Sequence, residues 1–415
     1  RWIMCACGNV DAVAEILRND PEWIERPEGP LALPPLVAAT HSGFGQLPKY
    51  RDGIRDVVDL LLEAGVDPNQ SVGRRWPPAS PAQPSAEHRL SALYGSAGVN
   101  HDAKITQALL DAGADPNDGE SLYHALEAPD TAVLEQLLQA GVRVEGTNAL
   151  YRALDFDNIN LFRTLLSYAI PLDDQLLGQL LIWAIKRRRS VAHAKELLDA
   201  GANPNTISKD GTSAQLMALR RGLQDVAVLL RSSGAQDSLS DADLFLAACA
   251  AGDDESAFRL RAKNPDFPIN LDEARLKLLP ELAATGSGAA VMPMVRLGWP
   301  IDVRGGDWDA SALNQSDFRG DAKMTEFLLA NGASWTEQHG YGDNVCGTLN
   351  WASLNEPTED GDWLECARAL VAHGMPGAMR DPSNPNCVLV DKVQRQFSDD
   401  VTAYLLSVGE LRRSD

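Results

Sequence analysis

The chain has 415 residues, 44% hydrophobic and 6% aromatic, with 58 acidic side chains against 37 basic ones and a formal net charge of −21. That charge argues against a nucleic-acid backbone or an anionic membrane surface as partner, since both call for a basic face. A basic partner fits it, and so does the plainer role of keeping a long surface soluble. No apolar run reaches the roughly 18 residues of a membrane-spanning helix.

Taken in order, Trp2–Gly8 reads as the end of a first helix and Val10–Leu17 as a second, closed by Asn19-Asp20-Pro21. A helical opening at once after Arg1 implies a segment ahead of it, a lost leader included. Residues 34–44 and 51–65 read as the next helix pair, parted by the Gly/Pro-rich Gly43–Tyr50.

The stretch from Val57 to Asn69, VVDLLLEAGVDPN, then begins to recur. It returns at Ile105–Asn117, Val133–Glu145, Ala194–Asn205, Val226–Asp237 and Met324–Trp335. Closing glycines fall at Gly65, Gly113, Gly141, Gly201, Gly234, Gly298, Gly332, Gly374 and Gly409. Two wide gaps each hide a degenerate unit, around Leu165–Ala169 and Phe258–Lys263, so the period is about 33 residues with insertions. Pairs such as Val57/Val58 with Leu61/Leu62 give a helix a broad apolar face. The glycine takes the left-handed position that ends it, and Asp-Pro-Asn starts a turn. One unit cannot bury its face alone, so neighbours must stack.

Between units lies Gln70–His88, a Pro-rich insertion with Pro78, Pro81 and Pro84 three apart and Arg74-Arg75 upstream. It reads either as a tolerated loop or as a polyproline ligand for an aromatic-grooved domain. Residues 89–174 hold three compact repeats. Leu176–Ile185 reads as an apolar helix ending in Lys186-Arg187-Arg188-Arg189; these cations suit a helix C-terminus, with an anion site as the other reading. Asp210–Gly234 is the most regular unit. Ser240-x-x-Asp243 is a helix-start signature that restarts the pattern, which suggests two arrays in series, 1–237 and 238–415.

This period, with its helix–Gly–Ala–Asp–Pro–Asn closure, closely resembles the ankyrin repeat over nearly the whole chain. The family's first-helix signature survives only in part, nearest at Pro34–Ala39, Gly211–Leu216 and Gly347–Ala352. The resemblance implies an all-α ankyrin-repeat solenoid of about twelve helix-turn-helix units with irregular insertions. It also implies a concave surface of fingers and first helices that binds a protein.

The C-terminal third concentrates the tryptophans and carries the Gly-Tyr-Gly-Asp-Asn stretch at 340–344 before a first helix. Trp308, Trp335, His339, Tyr341, Asp343, Asn344, Trp351 and Asn355 are the candidate binding residues, because amphipathic aromatics and loop polar groups make binding hot spots. The bland reading is an irregular turn with tryptophans filling gaps between layers. No nucleophile elbow, phosphate-cradling loop or zinc-protease motif is present, and the seven histidines are scattered over separate repeats. No catalytic residue, cofactor or metal is therefore expected. The six cysteines show no metal spacing and read as packed thiols of a reducing, cytoplasmic compartment. The leading expectation is an interaction module that binds a basic protein on an acidic face. The alternatives are an inhibitor or immunity-type protein that neutralises a toxin or enzyme, and an enzyme or small-ligand binder using residues 299–363.

Overall fold

The computed structural model describes residues 1–169 and 171–411, which form two compact units, Arg1–Asn203 and Pro204–Asp415. The division falls at 203/204, whereas the sequence pattern restarts at 237/238.

In the first unit, helices pair as Trp2–Ala6 with Val10–Asn19, Pro35–Thr40 with Pro48–Glu63, and Ala92–Tyr94, prolonged by the π-helical turn Gly95–Val99, with Ala103–Asp111. Ser121–Ala125 follows with Ala132–Gln139, Ala149–Ala153 with Ile159–Ala169, and Asp174–Lys186 with Val191–Asp199. The second unit pairs Ala214–Arg220 with Gln224–Ser232, Asp241–Ala251 with Asp254–Lys263, and Leu278–Ala283 with Gly288–Arg296. Ala312–Phe318 with Ala322–Ala330 and Val345–Asn355 with Trp363–Ala372 complete it. A three-stranded antiparallel sheet, Met379–Arg380, Val388–Val390 and Val393–Arg395, then leads to a last helix, Asp399–Leu411. Among the described residues, eleven helix pairs and a closing half-unit match the expected all-α solenoid of about twelve units. Both degenerate units are present as the helices Ile159–Ala169 and Asp254–Lys263.

The apolar pairs do what their spacing predicts: Val133, Leu134, Leu137 and Leu138 are all buried in one helix. The next-layer contacts run helix to helix, building elongated cores: one runs from Cys5 to Leu137 in the first unit and another from Phe245 to Leu405 in the second. The glycine at the helix end sits at φ 86° in Gly65, 96° in Gly113 and 102° in Gly332, with open space where a Cβ would be. Only the backbone conformation demands glycine there.

The asparagine of the turn has a role the sequence pattern leaves unexplained. The Asn69 carboxamide donates to the Gly113 carbonyl and accepts from the Asp115 N–H at 2.8 Å. Asn117 accepts from the Arg143 N–H at 2.9 Å. Asn205 donates to the Gly234 carbonyl and accepts from the Gln236 N–H, 2.9 Å. Each asparagine stitches its turn to the next.

Two expectations are corrected. Gly409 ends no helix: it lies inside Asp399–Leu411, where its backbone meets Gly377 and a Cβ would run into the Ala378 carbonyl. The insertion at 70–88 is no polyproline helix either. Ser71–Gly73 pairs with Arg89–Ser91 as a hairpin. In the tip, Ser80 and Gln83 exchange backbone hydrogen bonds of 3.0 and 3.1 Å, which a polyproline helix does not have.

The basic cluster turns mainly to acids of the preceding repeat, while the Arg189 guanidinium donates to the Arg187 carbonyl at the helix end. Arg187 pairs with Asp155 at 2.7 Å and lies over the Trp183 ring, Arg188 takes φ 57°, and Arg189 reaches Asp157 at 3.5 Å. Ser240 and Asp243 form the reciprocal capping box. Cys5, Cys249, Cys346 and Cys366 are buried free thiols, the first three pushed up to about 12 by burial. Among the described residues, no helix is long and apolar enough to cross a membrane.

Candidate functional site

The second unit carries two successive fingers before its last two first helices. Arg304–Gly305 pairs antiparallel with Ala310–Ser311 in one, and Gln338 bridges Asn344 in the other. The fingers are tied together, since the Gly340 N–H donates to the Trp308 carbonyl at 3.0 Å. Ser311 caps Ala312–Phe318 and Asn344 caps Val345–Asn355, each accepting a backbone N–H from the first turn.

Below the fingers the floor is held by a buried polar chain. The Thr348 hydroxyl donates to Asn314 Oδ1 at 2.7 Å, and Asn314 Nδ2 donates to the Glu337 carbonyl at 3.2 Å. These bonds link helix to helix and helix to finger, so the fingers rest on a rigid base.

Between the fingers and the Val345–Asn355 helix lies an open cleft of about 590 Å³, lined by Asp307, Trp308, Phe318, His339, Tyr341, Asp343, Gly347, Thr348 and Trp351. Five rings run along it in contact. Trp351 stacks on Phe318 at 5.3 Å and 8°, Phe318 meets Trp308 at 5.6 Å, Trp308 meets His339 edge-on at 5.1 Å, and His339 meets Tyr341 at 5.9 Å. Trp308 is oriented by its indole N–H, which donates to Gln315 Oε1 at 3.1 Å. The outer rings are open to solvent, Tyr341 at 81% and Trp351 at 50%.

Two titratable groups shape the finger. Asp343 accepts both guanidinium nitrogens of Arg395, at 2.5 and 2.6 Å, and this pairing holds its carboxyl below the usual range. His339 is buried and its Nδ1 accepts the Tyr341 N–H at 3.3 Å; burial lowers its pKa, so the ring is neutral near pH 7.

Of the eight residues singled out from the sequence, Trp308, His339, Tyr341, Asp343 and Trp351 come together here. Three do not. Trp335 is half-buried against the core, Asn344 is occupied as a helix cap, and Asn355 folds back to donate to the Trp351 carbonyl at 2.7 Å. The buried Trp299 and Trp363 fill gaps between layers, each with its indole N–H on a backbone carbonyl. Asp307, Phe318, Gly347 and Thr348 were missed. A signal for Phe318 was present: it precedes Trp351 by one repeat, as Trp308 precedes Tyr341, so the period places each pair of rings at equivalent, adjacent positions. Among the described residues, no three His, Cys, Asp or Glu side chains converge as metal ligands would.

No family model matches the chain, and neither does any curated protein. Among solved structures it is similar to the human ASB11 ankyrin repeat domain, at 21% identity and a TM-score of 0.28, covering 55% of this chain and 99% of that one. It is also similar to the ankyrin repeat domain of Bcl-3, described as a unique member of the IkappaB protein family. That match has 21% identity and a TM-score of 0.27, covering 63% of this chain and 98% of that one. Superpositions this loose say nothing of activity. The repeat itself carries the fold: paired helices, a left-handed glycine and a turn stitched to the next turn give an all-α repeat architecture of the ankyrin kind.

Proposed function

We propose that the protein is a protein-interaction module whose contact surface includes the aromatic cleft at residues 307–351, and that its partner is basic. The observation that carries this reading is the exposure of Tyr341 and Trp351 on a floor of buried hydrogen bonds. Large aromatics held open to water at such cost in apolar exposure are typical of contact hot spots. A rigid stack loses little conformational entropy when it binds, so loop side chains specify the partner and the helices only present them. The net charge of −21 favours a basic partner through long-range attraction. A neutralised toxin or enzyme is one kind of partner that this reading accommodates.

The volume of the cleft favours a second reading, a small-molecule site, since about 590 Å³ is within the usual range for ligands. A capture experiment separates the two. The wild-type chain and the Tyr341→Ala/Trp351→Ala double variant are immobilised and exposed to source lysate at low and high salt. A protein retained stoichiometrically by the wild type, released by salt and absent from the variant is the expected result. Identical protein profiles on both surfaces would remove the cleft from the contact surface and leave it to the small-ligand reading.

A further inference from the structure

We propose that the cleft seats the cationic side chain of an arginine or lysine within an extended basic segment of the partner. This rests on the reading of the cleft as a contact surface and adds the chemistry that the surface recognises.

The chain places its own cations over six of its other partly exposed aromatic rings. Lys49 lies 5.2 Å from the Tyr50 ring, and Arg152 lies over both Tyr123 and Phe156 at 5.2 and 4.7 Å. Arg187 covers Trp183, Arg296 covers Phe327 and Arg368 covers Tyr404, at 4.8, 5.6 and 5.0 Å. None of these contacts falls on Trp308, Phe318, His339, Tyr341 or Trp351, although these rings form the longest aromatic run of the second unit. The negative ring faces that a cation prefers are thus assembled there without one.

The local charges point the same way. Arg304 is committed to Asp309 at 2.7 Å, and Arg395 to Asp343. Arg319, beside Phe318, turns its guanidinium toward the Ala284 carbonyl. Asp307, exposed on the rim, is in no ion pair among the described residues and adds to the negative field at Glu281. A neutral occupant gains no attraction from this carboxylate, and an anion would be repelled by it. A guanidinium or ammonium on the rings, with its head toward Asp307, satisfies both at once.

The test is 19F NMR of the full chain carrying 5-fluorotryptophan, with resonances assigned through Trp308→Phe and Trp351→Phe. The probes are a short Gly/Ser peptide bearing two arginines, the same peptide with the neutral isostere citrulline, and tetramethylammonium chloride. The arginine peptide is expected to shift the Trp308 and Trp351 resonances selectively, while the citrulline peptide leaves them in place. Trp351→Ala should weaken binding about tenfold and Asp307→Asn about threefold, the latter with a flatter salt dependence. Equal shifts from citrulline would overturn the proposal, as would no shift from arginine. Tighter saturation by tetramethylammonium than by the arginine peptide would overturn the peptide occupant and assign the cleft to a small cation. If a captured partner still shifts the two resonances when arginine does not, the cation pocket falls and the contact surface stands. If the partner leaves them unmoved as well, both fall.

Discussion

The repeats between Val57 and Glu145 and those between Arg304 and Asn355 stack their helices alike but finish their surfaces differently. In the earlier stretch, short turns are stitched by Asn69 and Asn117, the buried Asp102 meets Arg55 at 2.9 Å, and Tyr123 is covered by Arg152. Most of the polar groups there are partnered within the chain, though Asn100 Oδ1 and Gln136 Oε1 are buried without a hydrogen bond and Trp76 stands exposed on the insertion. In the later stretch two neighbouring fingers are tied together, and two rings stand open over the cleft beside them. One carboxyl, Asp317, is fully buried with neither oxygen hydrogen-bonded. The scaffold is common to both; what it leaves unsatisfied differs, and that difference marks the candidate surface.

If the two stretches share one packing mode, equivalent core truncations should cost alike. Leu137→Ala and Leu349→Ala each remove a fully buried side chain. Each is expected to cost about 2–5 kcal/mol, measured by denaturant titration. A clear disparity would break the comparison at its base. Gly409→Ala tests the closing half-unit. Its new methyl meets a backbone carbonyl that has no rotamer to yield, so a loss of about 1–3 kcal/mol is expected.

Asp317 sharpens the contrast through pH. Burial raises its pKa well above the usual value, so the folded state holds a proton that the unfolded chain releases near pH 4. The stability contributed by the neutral carboxyl is fully present below that unfolded value and is lost as pH rises through the folded one. Stability should therefore decline over this window, and Asp317→Asn should flatten the decline. Superimposable pH profiles for the two proteins would refute this account of Asp317.

Smaller effects come last. Asn117→Ala removes the acceptor of the Arg143 N–H in an exposed turn, for a loss of about 1 kcal/mol by the same titration. Tyr341→Ala, at 81% exposure, should stay within about 0.5 kcal/mol of wild type while it changes binding.

Much of the fold was legible because it repeats. The Leu-Leu pairs and the glycine after them recur with a period that only stacked helix pairs explain, and the helices at Val133 and Met324 lie where that period puts them. Gly409 misled because the same residue serves two needs. Sequence shows a glycine after an apolar run, but only coordinates show that the need is close approach to Ala378. The site was half legible. Finger residues announced themselves by composition, as His339, Tyr341 and Asp343 did. Phe318 and Asp307 belong to the preceding repeat, and their proximity depends on how one layer stacks on the next. Asn344 and Asn355 look identical to binding residues in sequence and are consumed by local backbone bonds in the fold.

The most direct test of the central claim, that the open rings are where the partner binds, is the affinity of the captured partner for wild type and for Tyr341→Ala/Trp351→Ala. It is measured by calorimetry on proteins of matched thermal stability. The account predicts a loss of at least about tenfold in the double variant. Unchanged affinity would contradict it and place the contact surface elsewhere on the stack.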